Sequence, residues 1–314
     1  MPVEKRKTIV IGHKNPDTDS ICSAIGYAAF KNTENTADVA YIPKRAGSMN
    51  PETEFVLSRF GIEAPELLEN AAGETVILVD HNEIAQAADN IMDGKILGIL
   101  DHHKLGDIQT AEPLYIRMMP VGCTATIVYL HYQETGLQPE KDIAGILCSA
   151  ILSDTLAFRS PTCTDQDRTA AESLAELAGI EDIQAYAKEM FKAGSNLLEK
   201  EPEEIFHMDY KKFSAGGTTF GVGQVTSMDA DELSELKSRM TSYMHDTFEE
   251  HGVDMIFFML TDILDESTDL IFAGQGAEEA AAKAFTSSED DRMYLKGCVS
   301  RKKQIIPQLT EALS

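Results

Sequence analysis

The sequence predicts an α/β protein in two parts: an N-terminal, mainly parallel sheet flanked by helices, and a smaller C-terminal mixed α/β domain. Three observations carry this. Short β-branched runs alternate with helical segments through the first half. Several of those runs end in His or Asp, as strands do when their carboxyl ends line a site. A Gly-Ser-Asn stretch and a charged, Pro-containing segment then interrupt the chain near residue 195.

Taken in order, residues 8–11 predict a strand and 20–31 a helix, 39–42 a strand and 51–60 a helix, and 75–79 and 96–100 two further strands. This rhythm predicts parallel strands with helices on both faces. Residues 124–135 and 142–153 follow as apolar-periodic helices, and 164–178 and 182–193 as more polar ones. The tetrapeptide Pro161-Thr162-Cys163-Thr164 reads as a turn and N-cap. We expect a metal-binding domain over 1–192, a linker over 193–200 and a second domain over 201–314. In that second domain, a strand near 206–214, a Gly216-Gly217 turn and a strand over 218–225 predict a hairpin. A helix with acidic residues in its first turn runs from Asp229 to about Gly252. Strands at 253–260 and 270–273 and a helix at 277–285 complete the prediction.

Length and charge narrow the class. A chain of 314 residues has room for two cores. Its 52 acidic against 27 basic residues give a formal charge of −25, which opposes attraction to nucleic-acid phosphates and anionic membranes, so neither is an expected partner. Five cysteines, Cys22, Cys123, Cys148, Cys163 and Cys298, form no CxxC pair and are odd in number. Reduced structural thiols and a cytoplasmic location are the expectation. No apolar run reaches the ~18 residues needed to span a bilayer, and residues 1–7 lead into a strand too short for a signal segment.

Chemistry concentrates in Gly12-His13-Lys14-Asn15-Pro16-Asp17-Thr18-Asp19-Ser20, directly after the first strand. Carboxylates this close repel unless a cation neutralises them. The strand ends Val79-Asp80-His81 and Leu100-Asp101-His102-His103, and Asp154 after the helix at 142–153, extend the set. His13, Asp17, Asp19, Asp80, His102, His103 and Asp154 offer nitrogen and oxygen donors without thiolates, suited to manganese, cobalt, iron or magnesium rather than structural zinc, and their number implies two ions. Any one of them alone is equally a helix cap or a satisfied core His. Adjacent residues at a strand end point oppositely, so of His102 and His103 one is a ligand and the other faces substrate, where an imidazole serves as general acid. His81 reads as supporting or structural. Lys211 or Lys212, with Arg301-Lys302-Lys303, supplies the fixed cations that a polyanionic substrate needs, although such runs are more often solvated surface. Gly274-Gln275-Gly276 reads as a turn.

In order and spacing, the first loop, Val79-Asp80-His81-Asn82-Glu83, Asp101-His102-His103, Ser153-Asp154-Thr155 and Ser300-Arg301-Lys302-Lys303-Gln304 resemble the family II inorganic pyrophosphatases of the DHH phosphoesterase superfamily. The tripeptide marks the superfamily, and the C-terminal motif and length mark the pyrophosphatases. The resemblance implies His13, Asp17 and Asp80 on one metal and Asp19, Asp80, His102 and Asp154 on the other. It also implies His103 as the catalytic group near the leaving oxygen, and Lys211 (or Lys212), Arg301 and Lys302 on the phosphate oxygens. The expected reaction is hydrolysis of pyrophosphate to two phosphates by a metal-bridging water or hydroxide at a di-metal centre between two domains. Two manganese or cobalt ions, with magnesium accompanying substrate, are the expected cofactors, and a homodimer through the N-terminal domain the expected assembly. The short connection over residues 61–74 leaves no room for the CBS insert of some relatives. Alternative readings are another DHH phosphoesterase, such as an exopolyphosphatase, or a non-catalytic metal- or phosphate-binding protein.

Overall fold

In a computed structural model the chain is described over residues 6–34, 39–286 and 293–314. It forms two compact units that divide between Gly194 and Ser195.

The first unit runs β1 (Arg6–Ile11), α1 (Thr18–Glu34), β2 (Val39–Arg45), α2 (Pro51–Phe60), β3 (Glu66–Leu67), β4 (Thr75–Val79), β5 (Lys95–Asp101), β6 (Tyr115–Met118), α3 (Thr124–Thr135), α4 (Lys141–Asp154), α5 (Asp165–Ala178) and α6 (Ile183–Gly194). All strand pairings are parallel, in the order β3-β2-β1-β4-β5-β6. Strand order reverses between β1 and β4, where Ile9 to Ile11 pair with Val76 to Leu78. In a doubly wound sheet this is the crevice that receives ligands, beyond the carboxyl ends of the strands. The buried runs of β1 and β4 read as continuous hydrophobic segments because both faces are covered. Ile9, Ile11, Val76, Leu78, Ile96 and Ile99 share one core cluster.

Helix α1 is buried along most of its length. Gly26 makes this possible, since a β-carbon there would collide with the Leu147 side chain of α4. Helix α2 has Asn50 as its N-cap, accepting from Thr53 N at 2.7 Å, with Pro51 opening the helix and Gly61 closing it at φ 68°. Beyond α4 the chain turns through Leu156, Ala157 and Phe158, all at positive φ. Three successive left-handed residues are costly, and such strain clusters beside functional sites.

The second unit runs α7 (Pro202–Met208), β7 (Tyr210–Ala215), β8 (Thr218–Ser227), α8 (Ala230–Asp246), β9 (Met255–Asp262), β10 (Ser267–Ala273), α9 (Ala277–Ala284), β11 (Tyr294–Lys296) and α10 (Ile306–Leu313). Its mixed sheet has the order β11-β10-β9-β8-β7, with β8 and β9 parallel and the other pairs antiparallel. One face packs against α7 and α8, the other against α9 and α10.

The structure differs from expectation here in two places. Residues 206–208 are helical rather than extended, because Pro202 and the Glu201–Glu204 capping box start α7 and Phe206 turns inward to stack on Phe258. The helix beginning at Ala230 ends at Asp246, followed by a short 3₁₀ turn that Gly252 closes at φ 57°. The C-terminal basic motif is a π-helical turn, Arg301–Ile305. π-Turns are rare and favour functional sites.

Candidate metal centre

The loop after β1 folds tightly over the start of α1. A β-carbon on Gly12 would overlap the Ser20 hydroxyl, which accepts from His13 N at 3.0 Å. Asp17 caps α1 through Oδ1, taking Ser20 N at 2.9 Å, and turns Oδ2 toward His13 Nε2 at 3.5 Å. Asp19 is fully buried. Its carboxylate meets the N-terminus of α3, accepting from Thr124 N at 2.6 Å and Ala125 N at 2.9 Å, and from Ser23 Oγ at 2.6 Å.

Asp80 follows β4 with left-handed backbone, φ 62°. Its two oxygens part company. Oδ2 lies 3.3 Å from His13 Nε2, whereas Oδ1 lies 3.4 Å from His102 Nε2, which is itself 3.7 Å from Asp154 Oδ2. These separations exceed ordinary N–H···O bonds, and Asp80 Oδ2 is buried with no donor in hydrogen-bonding geometry among the described residues. The donor atoms therefore converge on common points. Among the described residues, His13, Asp17 and Asp80 form one group able to hold a cation, and Asp19, Asp80, His102 and Asp154 a second. Asp80 with His102 and His103 forms a third.

The His102 and His103 rings lie side by side, 4.2 Å between centroids, rather than on opposite sides. β5 ends at Asp101, so strand alternation no longer governs them. What separates them is the partner of Nδ1. His102 Nδ1 meets Val121 O at 3.1 Å, leaving Nε2 toward the carboxylates. His103 Nδ1 meets Asp101 Oδ1 at 2.9 Å. Asp101, fully buried, is in turn held by Asn82 Nδ2, and Asn82 Oδ1 accepts from Gly106 N. His81 is pinned by Val79 O at 2.9 Å and belongs to none of these groups, in keeping with a structural role.

Charge crowding shows in the acidities. Burial works against a charge on His13, but Asp17 and Asp80 overcome it and push the imidazole up to about 10. His102, opposed by burial and favoured by Asp80 and Asp19, rises to about 9. Burial and the Asp80 charge push Asp19 up to about 7, and burial with Asp19 and Asp80 drives Asp154 well above the usual carboxylate range. Asp80 goes the other way: burial would raise it, yet the His102 and His13 imidazoles hold it well below its ordinary value. Dispositions of this kind call for cations.

In the second unit, the β7–β8 register gives two neighbouring lysines different surroundings. Lys211 stands opposite Val222 and Phe213 opposite Phe220, and cross-strand partners share a face. That is the face of α9, α10 and the π-turn. Lys212 points the other way and donates to His251 O at 2.5 Å. Arg301 lies buried: Nη1 donates to Asp209 O and, at 3.4 Å, to Val222 O, and Nη2 pairs with Asp209 Oδ1 at 2.6 Å. Lys302 is exposed. Ser300 Oγ caps the turn, accepting from Lys303 N, while Gln304 holds it from behind by accepting from Val299 N and Ser300 N and donating to Gly297 O.

Comparison with known proteins places both units in one family. Residues 7–151 match the N-terminal domain of the DHH family and residues 188–312 the DHHA2 domain. A manganese-dependent inorganic pyrophosphatase of Methanothrix thermoacetophila is 45% identical over 96% of this chain and 97% of its own length. A probable manganese-dependent inorganic pyrophosphatase of Clostridium acetobutylicum is 46% identical over 97% of both. The chain belongs to the family II inorganic pyrophosphatases. The crystal structure of a Methanococcus jannaschii protein assigned to the same family superposes with a TM-score of 0.62 at 41% identity, over 98% of this chain and 99% of that one.

For a family II inorganic pyrophosphatase, the donor set fits the manganese of the relatives' names: imidazole and carboxylate donors, no thiolate, and a buried Asp80 oxygen with no hydrogen-bond donor among the described residues. Sequence reasoning missed Asn82 and Asp101, which hold His103 in the first unit, and Asp209, which holds Arg301 in the second. Asn82 lies two residues after Asp80, and Asp101 immediately precedes His102. Asp209 likewise stands two residues before Lys211.

Proposed function

We propose that this chain is a manganese-dependent inorganic pyrophosphatase, hydrolysing pyrophosphate to two phosphates at a di-metal centre. One observation carries the reading: the two oxygens of Asp80 serve two separate imidazole–carboxylate groups. His13, Asp17 and Asp80 would hold one manganese or cobalt ion, and Asp19, Asp80, His102 and Asp154 the other. When bound, the ions supply Lewis-acid polarisation and an acidified water, with magnesium accompanying the substrate.

The chain's own groups do the rest. His103, fixed through Nδ1, presents Nε2 as the general acid for the departing phosphate. Lys211, Arg301 and Lys302 neutralise charge that develops on the phosphoryl oxygens. Arg301 commits three of five donors to Asp209 and Val222, so its guanidinium is oriented while two N–H groups stay available. The charge of −25 supports a small anion rather than a nucleic acid as partner. Among the described residues no helix is long and apolar enough to cross a membrane. A cytoplasmic location and a homodimer through the N-terminal unit complete the proposal. The edge strand β6, with Tyr115 and Ile116 about half exposed, supports self-association.

The test strips the protein with a chelator, restores manganese or magnesium, and follows phosphate release from pyrophosphate, tripolyphosphate and a dinucleotide. Preference for pyrophosphate with manganese supports the proposal. Preference for tripolyphosphate makes the chain an exopolyphosphatase, and no release from any substrate makes it a binding protein.

A further inference from the structure

Glu52 lies in the first turn of α2 and belongs to none of the groups able to hold a cation. One oxygen, Oε1, nevertheless accepts two hydroxyls: Thr18 Oγ1 at 2.6 Å and Ser153 Oγ at 2.5 Å. Thr18, fully buried, separates Asp17 from Asp19, and Ser153 immediately precedes Asp154. Thr18 is further steadied by Thr53 Oγ1, 3.2 Å away on the same helix as Glu52. Behind Glu52 the end of α6 closes in so tightly that a β-carbon on Gly194 would stand 2.8 Å from Glu52 Cβ and 3.3 Å from Oε2. The carboxylate has little room to swing away.

From this geometry we infer that Glu52 is a positioning residue that ties the Asp17–Asp19 loop to the end of α4 and so sets the spacing between Asp19 and Asp154. The inference rests on the proposed ligand assignment. It goes further in one respect, because both tethers reach segments supplying the group Asp19, Asp80, His102 and Asp154, whereas only one reaches the group containing His13. Loss of Glu52 therefore falls mainly on one ion. Partners that orient metal ligands from behind typically govern affinity by roughly 10–100-fold.

The experiment titrates metal-stripped protein with manganese and reads stoichiometry and stepwise affinity by calorimetry and by the manganese spin-resonance signal. Wild type should bind two ions. Glu52→Ala should weaken one step by roughly 10–100-fold and leave the other within about threefold. Glu52→Gln, whose amide oxygen still accepts two hydroxyls, should restore affinity. The double variant Thr18→Val, Ser153→Ala keeps the carboxylate, removes both donors, and should reproduce the Glu52→Ala loss if that variant fails to fold. Leu57→Ala, a core truncation in the same helix, should lower thermal stability without selecting one step. Unchanged affinities in Glu52→Ala, a Glu52→Gln variant as weak as Glu52→Ala, or an equal selective loss in Leu57→Ala would overturn the inference. A wild type that binds fewer than two ions would instead overturn the ligand assignment beneath it.

Discussion

His103 Nδ1 lies 2.9 Å from Asp101 Oδ1, which also accepts the His103 backbone N–H at 3.1 Å. One buried carboxylate thus fixes both the ring and the peptide of the residue assigned to protonate the leaving group. His103→Gln should lower kcat by about 10²–10⁴, the usual worth of general acid–base catalysis, while both manganese ions remain bound. Steady-state kinetics beside metal analysis checks this. Loss of both ions would make His103 a ligand.

Asp80 serves both groups, whereas Asp17 and Asp154 each serve one. Asp80→Asn should reduce manganese content at both sites, and Asp17→Asn and Asp154→Asn should each weaken a different one. Asp19→Asn is less clean, since its carboxylate also anchors the N-terminus of α3. Stepwise titration of the metal-stripped variants gives the answer, and identical profiles for Asp17→Asn and Asp154→Asn would remove the division.

The register of β7 and β8 makes different demands on two adjacent lysines. Lys211→Ala should raise KM for pyrophosphate. Lys212→Ala should leave KM near wild type and lower unfolding free energy by about 0.5–1.5 kcal/mol, the worth of a typical hydrogen bond, here the one to His251 O. Kinetics and urea unfolding of the pair separate the two roles.

His131 gives the fold a pH dependence remote from the metal centre. Its ring packs among Tyr27, Phe30 and Tyr115, Nε2 is buried with no hydrogen-bond partner among the described residues, and burial together with Arg117 lowers it to about 4 from 6.5. The unfolded chain therefore binds the proton more tightly than the folded one. This contribution to stability is fully present above about pH 6.5 and is lost as pH falls through about 4. His131→Phe should lower the midpoint of acid unfolding, followed by circular dichroism. An unchanged midpoint would mean that other groups govern it.

Legibility followed the physics of each segment. The ends of α2 could be read because Asn50, Pro51 and Gly61 announce them, and β1 and β4 because buried parallel strands leave continuous β-branched runs. β6 escaped notice, since four partly exposed edge residues carry neither alternation nor an apolar run. The residues at strand ends were legible as a site because imidazoles and carboxylates seldom recur there by chance. The groups that hold them were not. A Glu in the first turn of a helix is ordinary, and only the fold reveals that Glu52 faces Thr18 and Ser153. Which face Lys211 and Lys212 each take likewise needed the β7–β8 register, a long-range property that adjacent residues cannot disclose.

Asp80 couples its charge to a left-handed backbone, a conformation that costs side chains with a β-carbon roughly 1–2 kcal/mol and that Asp and Asn tolerate best. Position 80 thus has no conservative fallback. Glu would return the charge without the local geometry, Asn would keep the geometry without the charge, and Gly would relax the backbone and surrender both donors. A lineage that lost this aspartate could recover the two-ion arrangement only by restoring the same residue.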